Sequence, residues 1–212
     1  MKAVFVAALA AGWLAVPAPA DPEADALADA VFKASGGENW PKVKSVQFTF
    51  NVGDGSNVVA SAKHVWDVRA GTDTVTWKDK TVTVDVRAPA GDADAKAAYA
   101  RWVNDSYWLL APLKVKDAGV NPAYGGRQDE YEVLHLRFAG VGLTPDDQYN
   151  LYVDPQTHLV RRWDYMPSPD KKLSGTWEGY KEFSGLKLAT EHQMAGKRIW
   201  FSDVEVYSSP SK

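Results

Sequence analysis

The chain has 212 residues, 45% of them hydrophobic and 24% charged, with a formal net charge of -3. That apolar fraction excludes wholesale disorder, and a length near 200 suits one domain. Cysteine is absent, which excludes disulfides, thiolate metal sites, a cysteine nucleophile and acylation of a lipoprotein-type cysteine. A pI near 5.8 speaks against nucleic acid as a partner. Nine tryptophans sit oddly beside a mean hydropathy of -0.33. Such large rings must be buried or must line something.

Residues 1–20 begin with Lys2, run apolar from Ala3 to Val16, and end Ala18-Pro19-Ala20. This is the anatomy of a cleaved export signal, too short to span a bilayer comfortably, and places the mature start near Asp21. The expected location is therefore periplasmic or secreted. An N-terminal helix follows, with Asp21 as cap and Pro22 in the first turn. Ala24, Leu27, Ala28 and Val31 form one apolar face, and Gly36-Gly37 ends it.

Strands come next. Val46, Phe48, Phe50 and Val52 alternate with polar residues over 45–52, the period of a strand with one buried face. Ala60, Ala62, His64, Trp66 and Val68 share a face over 58–69. Val75 and Trp77 share one over 74–78, and Val82, Val84 and Val86 over 81–86. Short turns between these runs predict an antiparallel meander. Residues 92–110 interrupt it with a helical composition, in which Ala95, Ala98, Trp102 and Asp105 form one stripe, and Pro112 is expected to stop or kink the helix. Residues 116–127, rich in glycine and holding Pro122, read as a loop. Strands resume at 130–138, 148–153, 158–166, 175–183, 186–194 and 198–207, with turns at Asp154-Pro155, Ser184-Gly185 and Ala195-Gly196. The expectation is an α+β fold: a highly curved antiparallel sheet, or unclosed β-barrel, of about ten strands. An N-terminal and a central helix cover it, and residues 21–212 form one domain.

Chemical motifs are sparse. His64, His135, His158 and His192 lack metal-ligand spacing, so no metal or other cofactor is expected. Asp92 and Asp94 suit a helix start, and Asp146-Asp147 a turn entering a strand. No Gly-x-Ser-x-Gly elbow, P-loop or dinucleotide fingerprint is present. The aromatics are the strongest signal: either core, or the lining of an apolar pocket. The candidate lining residues are Phe48, Phe50, Trp66, Trp77, Val84, Trp102, Trp108, Leu109, Leu136, Leu151 and Trp163.

Three segments carry a family resemblance. One is Gly36-Gly37-x-x-Trp40 followed by His64-Val65-Trp66-Asp67. The second runs from Asn104-Asp105-Ser106-Tyr107-Trp108-Leu109-Leu110-Ala111-Pro112 to Gly119-Val120. The third is Asp147-Gln148-Tyr149-Asn150-Leu151-Tyr152-Val153-Asp154-Pro155 with Leu159-Val160. Together they resemble exported bacterial proteins related to the periplasmic lipoprotein carriers, the LolA/LolB-like superfamily. That resemblance implies an open barrel whose helices plug a hydrophobic cavity, with acyl chains as ligands. It carries over no catalytic residues. The leading expectation is a monomeric, non-enzymatic carrier or sensor of a lipid or an acylated protein, exchanging with a membrane-associated donor or acceptor. Two other readings stay open: an enzyme in the same cavity with His64 or a buried carboxylate as base, or an external carbohydrate- or protein-binding module with exposed tryptophans.

Overall fold

The computed structural model describes residues 21–54 and 57–209. The expected export signal, residues 1–20, lies outside the described residues. Helix α1 spans Pro22–Ala34; Asp21 Oδ1 accepts from the Ala24 amide at 3.0 Å, and Ala24, Leu27, Ala28 and Val31 are buried, as their spacing requires. Gly36 then adopts a left-handed φ of 76° and leads into a short 3₁₀ helix, Gly37–Lys42.

Four strands follow as a meander: β1 (Val43–Asp54), β2 (Asn57–Asp67), β3 (Thr72–Trp77) and β4 (Lys80–Asp85). Helix α2 (Ala93–Lys114) breaks it. Asp92 caps α2, its Oδ1 accepting from the Asp94 and Ala95 amides at 3.0 Å each. The helix does not stop at Pro112 but continues to Lys114. A proline there removes one helix hydrogen bond. The burial of Leu109, Leu110, Ala111 and Leu113, each at most 4% exposed, offsets that loss.

Eight more strands complete the chain: β5 (Val120–Gln128), β6 (Tyr131–Phe138), β7 (Gln148–Val153), β8 (Val160–Ser168), β9 (Lys171–Thr176), β10 (Glu178–Phe183), β11 (Leu186–Met194) and β12 (Lys197–Ser208). Among the described residues the sheet therefore has twelve strands, where about ten were expected. The segment read as a loop is β5, an edge strand that tolerates Pro122 opposite Leu136 and contains a register shift between Tyr124 and Arg127. The run read as one strand at 175–183 divides at Trp177: β9 pairs with β8, while β10 pairs with β11. Two tight hairpins use positive φ at both turn residues, Ser184-Gly185 and Ala195-Gly196.

The strand order is β4-β3-β2-β1-β12-β11-β9-β8-β7-β6-β5, antiparallel throughout, with β10 beside β11. Among the described residues strands β4 and β5 stay unpaired on their outer sides, so the barrel is unclosed. Helix α2 packs against β3, β4 and β11; α1 packs against β5, β6 and α2. The two helices thus bridge the opposite margins of one curved sheet. Phe48 on β1 and Leu151 on β7 share a single core cluster, which requires the sheet to curl around the helices.

Candidate functional site

The concave face is built by the inward residues of the meander. Register places Val46 opposite Trp66, and Trp66 opposite Asp73; Phe48 lies opposite His64, and His64 opposite Val75. The period of two thus puts His64 and Asp73 inside with the aromatic rings. Two apolar clusters result. The larger contains Phe48, Phe50, Trp66, Trp108, Leu109, Leu136, Leu151 and Trp163, with Trp102 packed against it. The smaller contains Trp77 and Val84 with Ala62, Val75 and Ala98.

A cavity of about 230 Å³ opens between the 3₁₀ helix, the ends of β2 and β4, and α2 from Trp102 onward. Its apolar walls are Trp40, Trp66, Trp102, Val68, Leu110 and Leu113; Arg87, Lys114 and Asp117 are its charged groups. The three indoles form a continuous wall, with centroids 5.8 Å apart for Trp40–Trp66 and 5.3 Å for Trp66–Trp102. The Nε1 donors of Trp66 and Trp102 are buried without a partner. Arg87 is anchored by Nη2 donating to the carbonyls of Val68 and Arg69 at 3.0 and 2.7 Å. Lys114 pairs with Asp117 at 2.7 Å. Of the residues expected to line a pocket, Trp66 and Trp102 line this one, and the others pack into the two clusters. Trp40, Leu110 and Leu113 were not among them. Trp40 stands in the resemblance motif, and the other two lie in the apolar end of α2.

A second depression, about 290 Å³, lies between α1, β5 and β6, and is lined by Glu23, Leu27, Tyr124, Glu132 and His158 among others. Glu23 and Glu132 pair with no cation among the described residues, so an anionic head group would meet uncompensated negative charge there.

Between the two apolar clusters lies a polar knot. His64 Nδ1 is 2.7 Å from Asp73 Oδ2, and its Nε2 is 3.1 Å from Asp105 Oδ2. All three residues are buried, His64 and Asp73 completely. Asp105 Oδ1 also accepts from Asn104 Nδ2 at 2.8 Å, whereas Asp73 Oδ1 has no partner. The Phe48 ring stacks on the imidazole at 4.6 Å. Burial pushes the His64 pKa down, but its hydrogen bonds to Asp105 and Asp73, and their charges, outweigh this and leave it above the usual histidine value. With both nitrogens engaged and no exposed surface, the ring has no free lone pair facing a substrate. It lines neither cavity.

The rest of the concave face is an arc of rings packed edge to face. Trp108 meets Trp163 at 4.4 Å, Trp163 meets Trp177 at 5.3 Å, and Trp177 meets His192 at 4.7 Å. His192 Nδ1 donates to the Thr176 carbonyl at 2.9 Å, and burial lowers its pKa to about 4. None of the tryptophans among the described residues is exposed, so they form no stacking row on the surface.

No family model matches the chain, and a search of curated proteins finds no match. Solved structures do resemble it. A DUF1329 family protein from Desulfovibrio piger superposes with a TM-score of 0.53 at 13% identity, over 91% of this chain and 96% of that one. A LolA superfamily protein from Nitrosomonas europaea gives 0.46 at 12% identity, over 86% of this chain and 94% of that one. The first of these likenesses shows the fold: an α+β open antiparallel sheet with its helices on one face. No helix among the described residues is long and apolar enough to cross a membrane.

Proposed function

We propose that the protein is an exported carrier or sensor that binds the acyl chain of a lipid or an acylated protein, without catalysis. The observation that carries this reading is the cavity under α2, walled by Trp40, Trp66, Trp102, Leu110 and Leu113. Such a surface rewards a ligand that brings apolar area and few hydrogen-bonding groups, at about 0.8 kcal/mol per buried methylene. Arg87 at the same site, which pairs with no carboxylate among the described residues, suits an anionic head group. The start of residues 1–20 as an export signal supports a periplasmic or secreted location. An acyl chain taken there would come from, and return to, a membrane.

The test is direct. The purified protein is extracted with organic solvent and the extract analysed by mass spectrometry, alongside titration with a fluorescent fatty acid. Co-purifying lipid and saturable binding support the reading. Repeated absence of both removes it.

A further inference from the structure

We propose that Asp73, His64 and Asp105 form a proton-operated latch that pins the middle of α2 to the sheet, and that losing one bridging proton frees the first half of α2 and opens the cavity. This rests on the reading of the cavity as a ligand site.

The geometry demands two protons. Each imidazole nitrogen faces a carboxylate oxygen, at 2.7 and 3.1 Å. A carboxylate only accepts, and neutral histidine has a single N–H. With both aspartates ionised, both bridges therefore close only as imidazolium between two carboxylates, a knot of net charge -1. Removing one proton leaves a lone pair against a carboxylate, and a knot of charge -2, in a site with no exposed surface at His64 or Asp73. No cation among the described residues is paired with it: Arg101, one turn before Asp105 on α2, lies over the Trp77 ring instead. From β1 the ring meets Phe48, from β2 its neighbour along the face is Trp66, and from β3 it meets Val75 as well as Asp73. Among the described residues no lysine or arginine pairs with Asp73 or Asp105.

The latch sits where α2 changes character. After Asp105 the helix buries Trp108, Leu109, Leu110, Ala111 and Leu113 in the main core. Before it, only Ala98 is fully buried, and Ala95 and Trp102 are partly so. The other ties of this half are Trp102 edge-on to Trp66 at 5.3 Å, the exposed Lys80–Asp94 pair at 2.5 Å and Arg101 over the Trp77 ring at 5.2 Å. An exposed ion pair contributes little. Trp102, one wall of the cavity, rides on this weakly held half. Letting it swing away joins the cavity to the space over Trp77 and Val84.

The sign follows from linkage. The closed state holds the histidine proton more tightly than the open one, where the value returns to about 6.5. Closure is therefore full below about pH 6.5 and is lost as pH rises through the raised value of the closed state. Between the two, the open fraction grows by at most about tenfold per pH unit.

Hydrogen exchange of the full chain, without ligand and corrected for intrinsic rates, reads this opening in the amides of residues 95–104. The expected result is protection that falls above about pH 6.5, by at most about tenfold per pH unit, and levels off above the raised value of the closed state, while residues 106–113 stay protected. In Asp105→Asn the amide donates to neutral His64, so the pH slope should vanish; a merely structural contact would shift protection without changing the slope. Flat protection in the unmodified protein, or an unchanged slope in Asp105→Asn, overturns the proposal. Should that variant fail to fold, nitrogen-15 spectra of the unmodified protein decide. Two protonated ring nitrogens at His64 below about pH 6.5 support the latch, and one bare nitrogen overturns it. Failure of lipid binding at every pH with this exchange pattern intact would instead remove the ligand reading and leave the latch.

Discussion

Lengthening a saturated fatty acid one methylene at a time probes the cavity by its size. The volume of about 230 Å³ is the room of roughly eight water molecules, and a methylene takes roughly as much. Each methylene that enters leaves water for the indole and leucine walls, worth about 0.8 kcal/mol, or close to a fourfold gain in affinity. About eight of them give roughly 6 kcal/mol. Association itself costs at least about 4 kcal/mol, so the closed cavity alone binds weakly. Titration calorimetry at about pH 6, with the histidine latch closed, should show this slope for short chains and a plateau once about eight methylenes are in. At higher pH the plateau should move to longer chains, because the opened helix exposes more wall. Affinity independent of chain length would refute burial in this cavity. A slope that continues unbroken at low pH would refute the closed geometry.

Other outcomes follow from the packing. Gly36→Ala places a Cβ 2.0 Å from the Gly185 carbonyl oxygen at a φ of 76°, so backbone must move; urea denaturation should show a loss of at least about 1–3 kcal/mol. Leu109→Ala removes a side chain with no exposed surface and should cost about 2–5 kcal/mol by the same assay. His192, held near 4 by burial, stays neutral in the fold while the unfolded chain takes up a proton near 6.5; stability is complete above that value and about 3 kcal/mol is lost as pH falls through 4. His192→Gln should flatten that acid limb, and an unchanged limb would assign it to other groups.

Much of this fold is written in local pattern. The caps Asp21 and Asp92, the alternation of β1 to β4 and the hairpin glycines each obey short-range rules, and the structure keeps them. The departures are places where long-range packing overrules those rules. Pro122 and the paired glycines of β5 resemble a loop until β6 supplies a partner on one side only. Pro112 should end a helix, yet the core holds α2 together beyond it. The candidate site divides in the same way. Trp66 and Trp102 carry a local signal, whereas the latch joins residues 9 and 41 positions apart. Its traces were still present: a histidine on an apolar strand face, Asp73 in phase with Val75 and Trp77, and Asp105 on the apolar stripe of the helix. No local rule says that three polar residues on apolar faces meet one another. Volume is likewise invisible in sequence, since the same aromatic faces fill a core or leave a gap depending on how the sheet curls.

The measurement closest to the central claim is quenching of tryptophan fluorescence by a fatty acid brominated along its chain, which acts only on contact. Trp40, Trp66 and Trp102 line the cavity, and Val68 faces the same space, so Val68→Trp fills it. Saturable quenching is expected in the unmodified protein, and its loss in Val68→Trp with the fold intact by circular dichroism. Quenching that survives unchanged in the filled variant, or none in either protein, would contradict it.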